Sequence, residues 1–203
     1  DDVVGLREAH QHLDRPAEGL ATLREAMKHG LHGLDTRILL ATYLTEAGQA
    51  SEAVQLLREE ATRKTPDVEA LNVLGMALSE SGEAPAALDC FRRILELDPG
   101  NARALLNLAV VALRQGDEPA ARKRLDEALA QDPSMAEAWN LLGVIEARSG
   151  QQTQAVEHWK KAIELDPRQF NTLYNLGLLL GRLDRMPEAL PYLERFVRTA
   201  PDS

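Results

Sequence analysis

Cys90 is the only cysteine, so an internal disulfide and a cysteine-based metal site are both excluded, and thiol usage leaves the redox compartment unread. Aromatic residues make up only 4% of the chain, little material for stacking on ligands. No apolar run is long enough to span a bilayer, and neither a membrane span nor a secretory leader is expected. Positive charge is in deficit: 23 Lys and Arg stand against 32 Asp and Glu, a formal net charge of -9. That balance repels nucleic-acid phosphates and anionic lipid, so neither is an expected partner. What remains is 203 residues, 44% of them hydrophobic, enough to build the core of a mostly helical protein. The chain starts with Asp1 rather than Met, which points to a processed chain or a piece of a longer one.

The apolar residues are organised by a repeat. From Ala136, taken as position 1, Trp139, Leu142, Gly143, Gly150, Ala155, Trp159, Ala162 and Pro167 fall at positions 4, 7, 8, 15, 20, 24, 27 and 32 of a unit of 34. The same order returns along the chain, which divides into units at about 1–33, 34–67, 68–101, 102–135, 136–169 and 170–203. This period and order resemble the tetratricopeptide repeat, a helix-turn-helix unit that stacks into a solenoid. The resemblance implies an all-α, right-handed α-α superhelix and a single array over residues 1–203.

Within each unit the spacing predicts two helices. Apolar residues at positions 4, 7, 8 and 11, such as Leu71, Leu74, Gly75 and Leu78, place helix A at about positions 2–14. Position 8 is small throughout (Ala41, Gly75, Ala109, Gly143, Gly177), allowing a neighbouring helix to approach closely. Gly150 and its equivalents at position 15 end helix A, and Asp184 fills that place less favourably. Pro85, Pro119 and Pro187 open helix B, where a missing backbone donor costs little. Pro99, Pro133, Pro167 and Pro201 follow its end. Ser134 and Glu137 have capping-box spacing. Pro191 should bend or delay the last helix B. The first unit is eroded, with Arg7 at position 8 and Gly19 in place of an alanine, and loose packing is expected there.

Function is expected on the face that stacking leaves concave. In tetratricopeptide arrays that face is lined by helix A, and positions 5, 9, 12 and 13 share one helical stripe. Here Met76, Val110, Val144 and Leu178 give apolar anchors at position 9. Arg114, Arg148 and Arg182 follow Glu46 and Glu80 at position 13, so the sign of charge reverses along the chain. Asn72, Asn107, Asn140 and Asn175, at positions 5 or 6, can each donate to and accept from a peptide backbone. The groove set is therefore Asn72, Met76, Asn107, Val110, Arg114, Asn140, Val144, Arg148, Asn175, Leu178 and Arg182, and the expected partner is a protein or peptide carrying acidic and apolar residues.

The family's carboxylate clamp, with Lys at positions 5 and 13 and Asn at position 9, is absent, and its asparagine ladder at position 6 is matched only by Asn107 and Asn175. No catalytic, cofactor or metal site is expected. His10 and His12 cannot share a helix face, and His29 and His32 lack carboxylate or cysteine companions. Glu146, at the usually apolar position 11, is expected to reach the hairpin edge or find a basic partner. Trp139 and Trp159 are assigned to packing. The chain thus reads as a non-enzymatic interaction scaffold. Two alternatives stand beside it: an accessory array of a larger glycosyltransferase, sulfatase or kinase, and a structural subunit that self-associates through the last helix, where Leu190, Leu193, Phe196 and Val197 are expected to show apolar surface.

Overall fold

The computed structural model describes residues 16–199. Among them are eleven α-helices, one 3-10 segment and no strand, the all-α architecture that the repeat predicts. The helices are α1 (Pro16–Lys28), α2 (Leu34–Glu46), α3 (Ala50–Leu57), α4 (Val68–Glu80), α5 (Ala84–Leu97), α6 (Ala102–Arg114), α7 (Glu118–Gln131), α8 (Ala136–Arg148), α9 (Gln152–Leu165), α10 (Phe170–Arg182) and α11 (Met186–Thr199). Helix A of each unit runs over positions 1–13, one residue earlier than the apolar pattern predicts. In two units a local cap fixes the start: Asp67 Oδ1 accepts from the amide of Ala70 at 2.8 Å, and Asn101 Oδ1 from that of Ala104 at 3.0 Å, so helix starts right after position 34. Helix A closes as expected, with Gly150 at φ 76° and Asp184 adopting φ 56° in the last unit.

The described residues divide into two compact units, with the boundary between Val111 and Ala112 in α6. In the first, α2 packs against α3 and α4 against α5, around a core that includes Leu23, Leu44, Leu57, Leu74, Phe91 and Ile94. A Cβ on Gly75 would lie 2.6 Å from the Phe91 ring, which is why position 8 is small there. The described part of the eroded repeat is well packed. Gly19 makes room for the ring of Tyr43, 2.8 Å from where its Cβ would be, and Leu20 and Leu23 are buried. Arg7 lies outside the described residues, as do His10 and His12.

One irregularity is confined to this unit. Glu60 occupies position 27, elsewhere apolar, and α3 stops at Leu57 and continues as the 3-10 segment Arg58–Thr62. The buried Glu60 carboxylate accepts from Arg63 Nη1 at 2.8 Å and lies 3.8 Å from Arg37 Nη2, while the Arg93 guanidinium donates to the carbonyls of Ala61 and Arg63.

In the second unit the hairpins are α8/α9 and α10/α11, with α7 packed on α8. Trp159, Ile163, Leu173, Leu176 and Leu180 form much of the core. Three local expectations change. Pro191 does not delay the last helix: α11 begins at position 17 like the other B helices and continues through the proline. Ser134 caps no helix. It donates to Asp132 Oδ1 at 2.6 Å, and Met135 precedes α8 instead. Of the four apolar residues on α11, Leu190 and Val197 are exposed, whereas Leu193 and Phe196 are partly buried against the core, Leu193 over Gly177.

Candidate functional site

The asparagines divide by chemistry. In the first unit Asn72, on α4, is buried, and its Oδ1 accepts from Asn107 Nδ2 on α6 at 2.7 Å. Asn72 Nδ2 also lies 3.9 Å from the sulfur of Met76. One hydrogen bond thus joins the two amides between neighbouring repeats. Met76 is exposed and Val110 half-buried, one turn beyond Asn72 and close to Asn107 along their helices. In the second unit Asn140 Oδ1 accepts from the Thr172 hydroxyl at 2.9 Å, and its carbonyl accepts from Trp159 Nε1 at 3.1 Å. Asn140 thus holds α8 to both α9 and α10.

Asn175 is different. It makes no side-chain hydrogen bond among the described residues, and it lines a cavity of about 230 Å³ with Ala147, Gln152, Trp159, Leu178, Leu179 and Arg182. Three of the residues named from sequence, Asn175, Leu178 and Arg182, therefore meet at one place. Arg148 sits 3.7 Å from Glu118 and is partly neutralised. Arg182 has no carboxylate within ion-pair distance among the described residues, although the chain as a whole is acidic. Arg114 is exposed at the end of α6, and Val144 is half-buried on α8.

Two members of this surface were missed by the sequence reading. Phe170 and Tyr174 are exposed, and with Leu178 and Arg182 they follow one another every four residues along a single face of α10. Their signal in the sequence is that i, i+4, i+8 spacing, which places aromatic residues at positions 1 and 5 ahead of the apolar position 9. Tyr174 also stacks on Phe196 of α11, with ring centroids 5.1 Å apart and planes tilted by 40°. Such a face offers hydrophobic area beside an unpaired guanidinium, a combination suited to an apolar side chain next to a carboxylate.

The remaining chemistry is structural. Glu146 does not reach the hairpin edge. Its side chain is 2% exposed; Oε1 accepts from both terminal nitrogens of Arg122 at 3.3 Å, and Oε2 lies 2.7 Å from His158 Nδ1. The basic partner half of the expectation is met by α7. Trp139 donates to the Pro133 carbonyl at 2.9 Å and leans on the His158 ring, so it stitches the start of α8 rather than filling the core as Trp159 does. Burial first, and then the Asp89 charge, push the Cys90 thiol up to about 11, which removes it as a nucleophile near neutrality. Among the described residues no group of three His, Cys, Asp or Glu side chains is placed to hold a metal, and no helix is long and apolar enough to cross a membrane.

Known proteins agree with this architecture. Family models described as tetratricopeptide repeats match residues 38–102, 78–145 and 171–203, and a further TPR repeat model matches 145–184. No curated protein sequence matches the chain. Among solved structures, MamA from Desulfovibrio magneticus RS-1 is similar at 26% identity and a TM-score of 0.62, over 81% of this chain and 94% of that one. A thermophilic TPR protein of Thermus thermophilus reaches a TM-score of 0.78 at 20% identity, over 89% and 99%. The APC/C hetero-tetramer Cut9-Hcn1 reaches 0.79 at 16% identity, over all of this chain and 41% of that one. The last two likenesses concern the fold alone.

Proposed function

From the premise that this chain belongs to the tetratricopeptide repeat family, we propose that it is a non-enzymatic protein-interaction scaffold whose helix-A surfaces receive a peptide or an extended segment of a partner protein. The observation that carries this reading is the meeting of Asn175, Leu178 and the unpaired Arg182 at one cavity, continuous along α10 with Phe170 and Tyr174. An occupant with a bulky apolar side chain would cover the α10 stripe. A neighbouring Asp or Glu would pair with Arg182, and Asn175 would bond its backbone. Met76 and Val110 in the first unit, and Val144 in the second, extend the apolar lining of their own units. Arg114 and Arg148 add positive charge to the second. Asn72, Asn107 and Asn140 hold helices in register and support the surface from beneath.

Selection from a random peptide library tests the proposal. The unaltered chain should enrich peptides pairing aromatic or aliphatic residues with acidic ones. Arg182→Glu should lose that enrichment while circular dichroism shows unchanged helicity. Equal enrichment by both proteins would move binding away from this face. A second contact surface is favoured by the exposed Leu190 and Val197 of α11, which suit another protein or a second copy of this chain.

A further inference from the structure

We propose that α11 pairs antiparallel with α11 of a second copy of this chain, in a weak two-fold dimer centred near Leu193–Arg198; this rests on reading α11 as a contact surface. The exposed residues Leu190, Glu194, Val197 and Arg198 recur at helical spacing and form one stripe, with Val197 74% exposed. Leu193, Glu194, Val197 and Arg198 line a shallow surface depression of about 460 Å³. Among the described residues nothing covers Val197 at the rim of this depression.

Charge identifies the occupant. The chain carries a net charge of -9, so two copies repel over most of their surfaces. The described stretch Met186–Arg198 is balanced, with Glu188 and Glu194 against Arg195 and Arg198, so copies meet there without net repulsion. Glu194 and Arg198 are one turn apart; their side chains form an exposed ion pair of 3.8 Å, and Arg198 Nε also donates to the Glu194 carbonyl at 3.4 Å. A two-fold axis between them reverses the second helix and sets each Glu194 opposite the partner's Arg198 and the converse. The same operation, centred at position 196, brings the two Val197 side chains together beside the axis, at the rims of their depressions. An isologous interface needs this property: one patch that complements itself. One helix face buries less than the roughly 800 Å² per partner of a standard stable interface, so the dimer is a weak and reversible one.

Sedimentation velocity on the 203-residue chain over about three decades of concentration should show reversible dimerisation. Val197→Glu should weaken it at least about tenfold, without loss of helicity by circular dichroism. Glu194→Arg and Arg198→Glu should each weaken it, and the two together should restore it, because the exchange preserves the complementarity and the ability to fold. A monomer at every concentration overturns the proposal, as does a dimer indifferent to Val197→Glu or a double exchange weaker than both single ones. If the chain is monomeric yet a partner captured from lysate is lost on Val197→Glu, α11 remains a contact surface and self-pairing is refuted.

Discussion

The indole of Trp159 occupies the space that a side chain at Gly143 would need: a Cβ there would lie 2.6 Å from both Cδ1 and Nε1 of the ring. The same indole donates to the Asn140 carbonyl, so the close approach of α8 and α9 is fixed by sterics and by a hydrogen bond together. Two effects oppose each other in Gly143→Ala. Helix propensity favours alanine by up to about 1 kcal/mol. Overpacking against an aromatic ring in a dense core costs about 1–3 kcal/mol, and displacing the indole strands its N–H as well. The clash should win, with a net loss of about 1–2 kcal/mol and a shift in tryptophan emission during thermal unfolding. Adding Trp159→Leu should cost less than the sum of the single changes, because the smaller side chain relieves the clash. An unchanged or raised melting temperature in Gly143→Ala would remove this account of position 8.

Glu146 gives a second prediction with an asymmetry built in. Its carboxylate is buried between Arg122 and His158, each on its own oxygen. Glu146→Ala removes the counter-charge of Arg122, whose side chain is 35% exposed and so partly solvated, and should cost about 1–3 kcal/mol. Replacing the pair, as in Arg122→Met with Glu146→Leu, removes both desolvation costs and should recover most of that loss. Urea denaturation of the two singles and the double closes the cycle. Equal destabilisation in Glu146→Ala and in the apolar double would show that the charges are not what matters.

The repeat was legible because its geometry permits few residues at particular places. Position 8 must be small wherever a ring or leucine of the next helix overlies it, so Gly75, Gly143 and Gly177 advertise the hairpins directly. Helix starts were less legible, since the apolar period is indifferent to whether the first residue is position 1 or 2; Asp67 and Asn101 decide that through their caps. Polar residues were the hardest to place. Asparagine bonds a neighbouring helix as well as it bonds a peptide, so Asn72 and Asn175 look alike in sequence and differ only once α6 supplies Asn107. Glu60 passed unnoticed because a buried carboxylate depends on arginines far apart in sequence, here Arg37, with Arg63 nearby. Gly19 looked like erosion because its meaning lies in the Tyr43 ring 24 residues on.

That division among the asparagines predicts a separation of effects. Asn72→Ala removes the acceptor of Asn107 Nδ2 inside the first unit and should lower stability by about 0.5–1.5 kcal/mol while leaving peptide binding in the second unit intact. Asn175→Ala breaks no bond among the described residues. It should leave the melting temperature within error and weaken binding of peptides selected on the α10 face. Paired thermal melts and fluorescence polarisation measure both. Reversal of the two outcomes would exchange the structural and binding roles assigned here.

Cys90 provides a pH-dependent test of the core. The folded thiol titrates at about 11, against an ordinary value of 9.0, because burial beside Asp89 disfavours the thiolate. The fold therefore favours the protonated thiol. Its contribution to stability is complete below about pH 9 and is lost as pH rises from there toward about 11. Tyr43, also raised by burial and then by Glu46, loses stability in the same direction once pH passes its ordinary value of 10.0. At pH 8 the native thiolate population should be about a hundredfold below that of the unfolded chain, so labelling by an aromatic disulfide should follow opening of α5 rather than direct attack. Adding urea below the unfolding midpoint should accelerate labelling in step with unfolding. Cys90→Ala should flatten the fall in melting temperature between pH 9 and pH 11, leaving the part due to Tyr43. Rapid labelling of the native chain at pH 8, independent of urea, would mean that the wall formed by Leu71, Leu78 and Ala86 beside Cys90 admits the reagent and that the thiol is not held in an apolar setting.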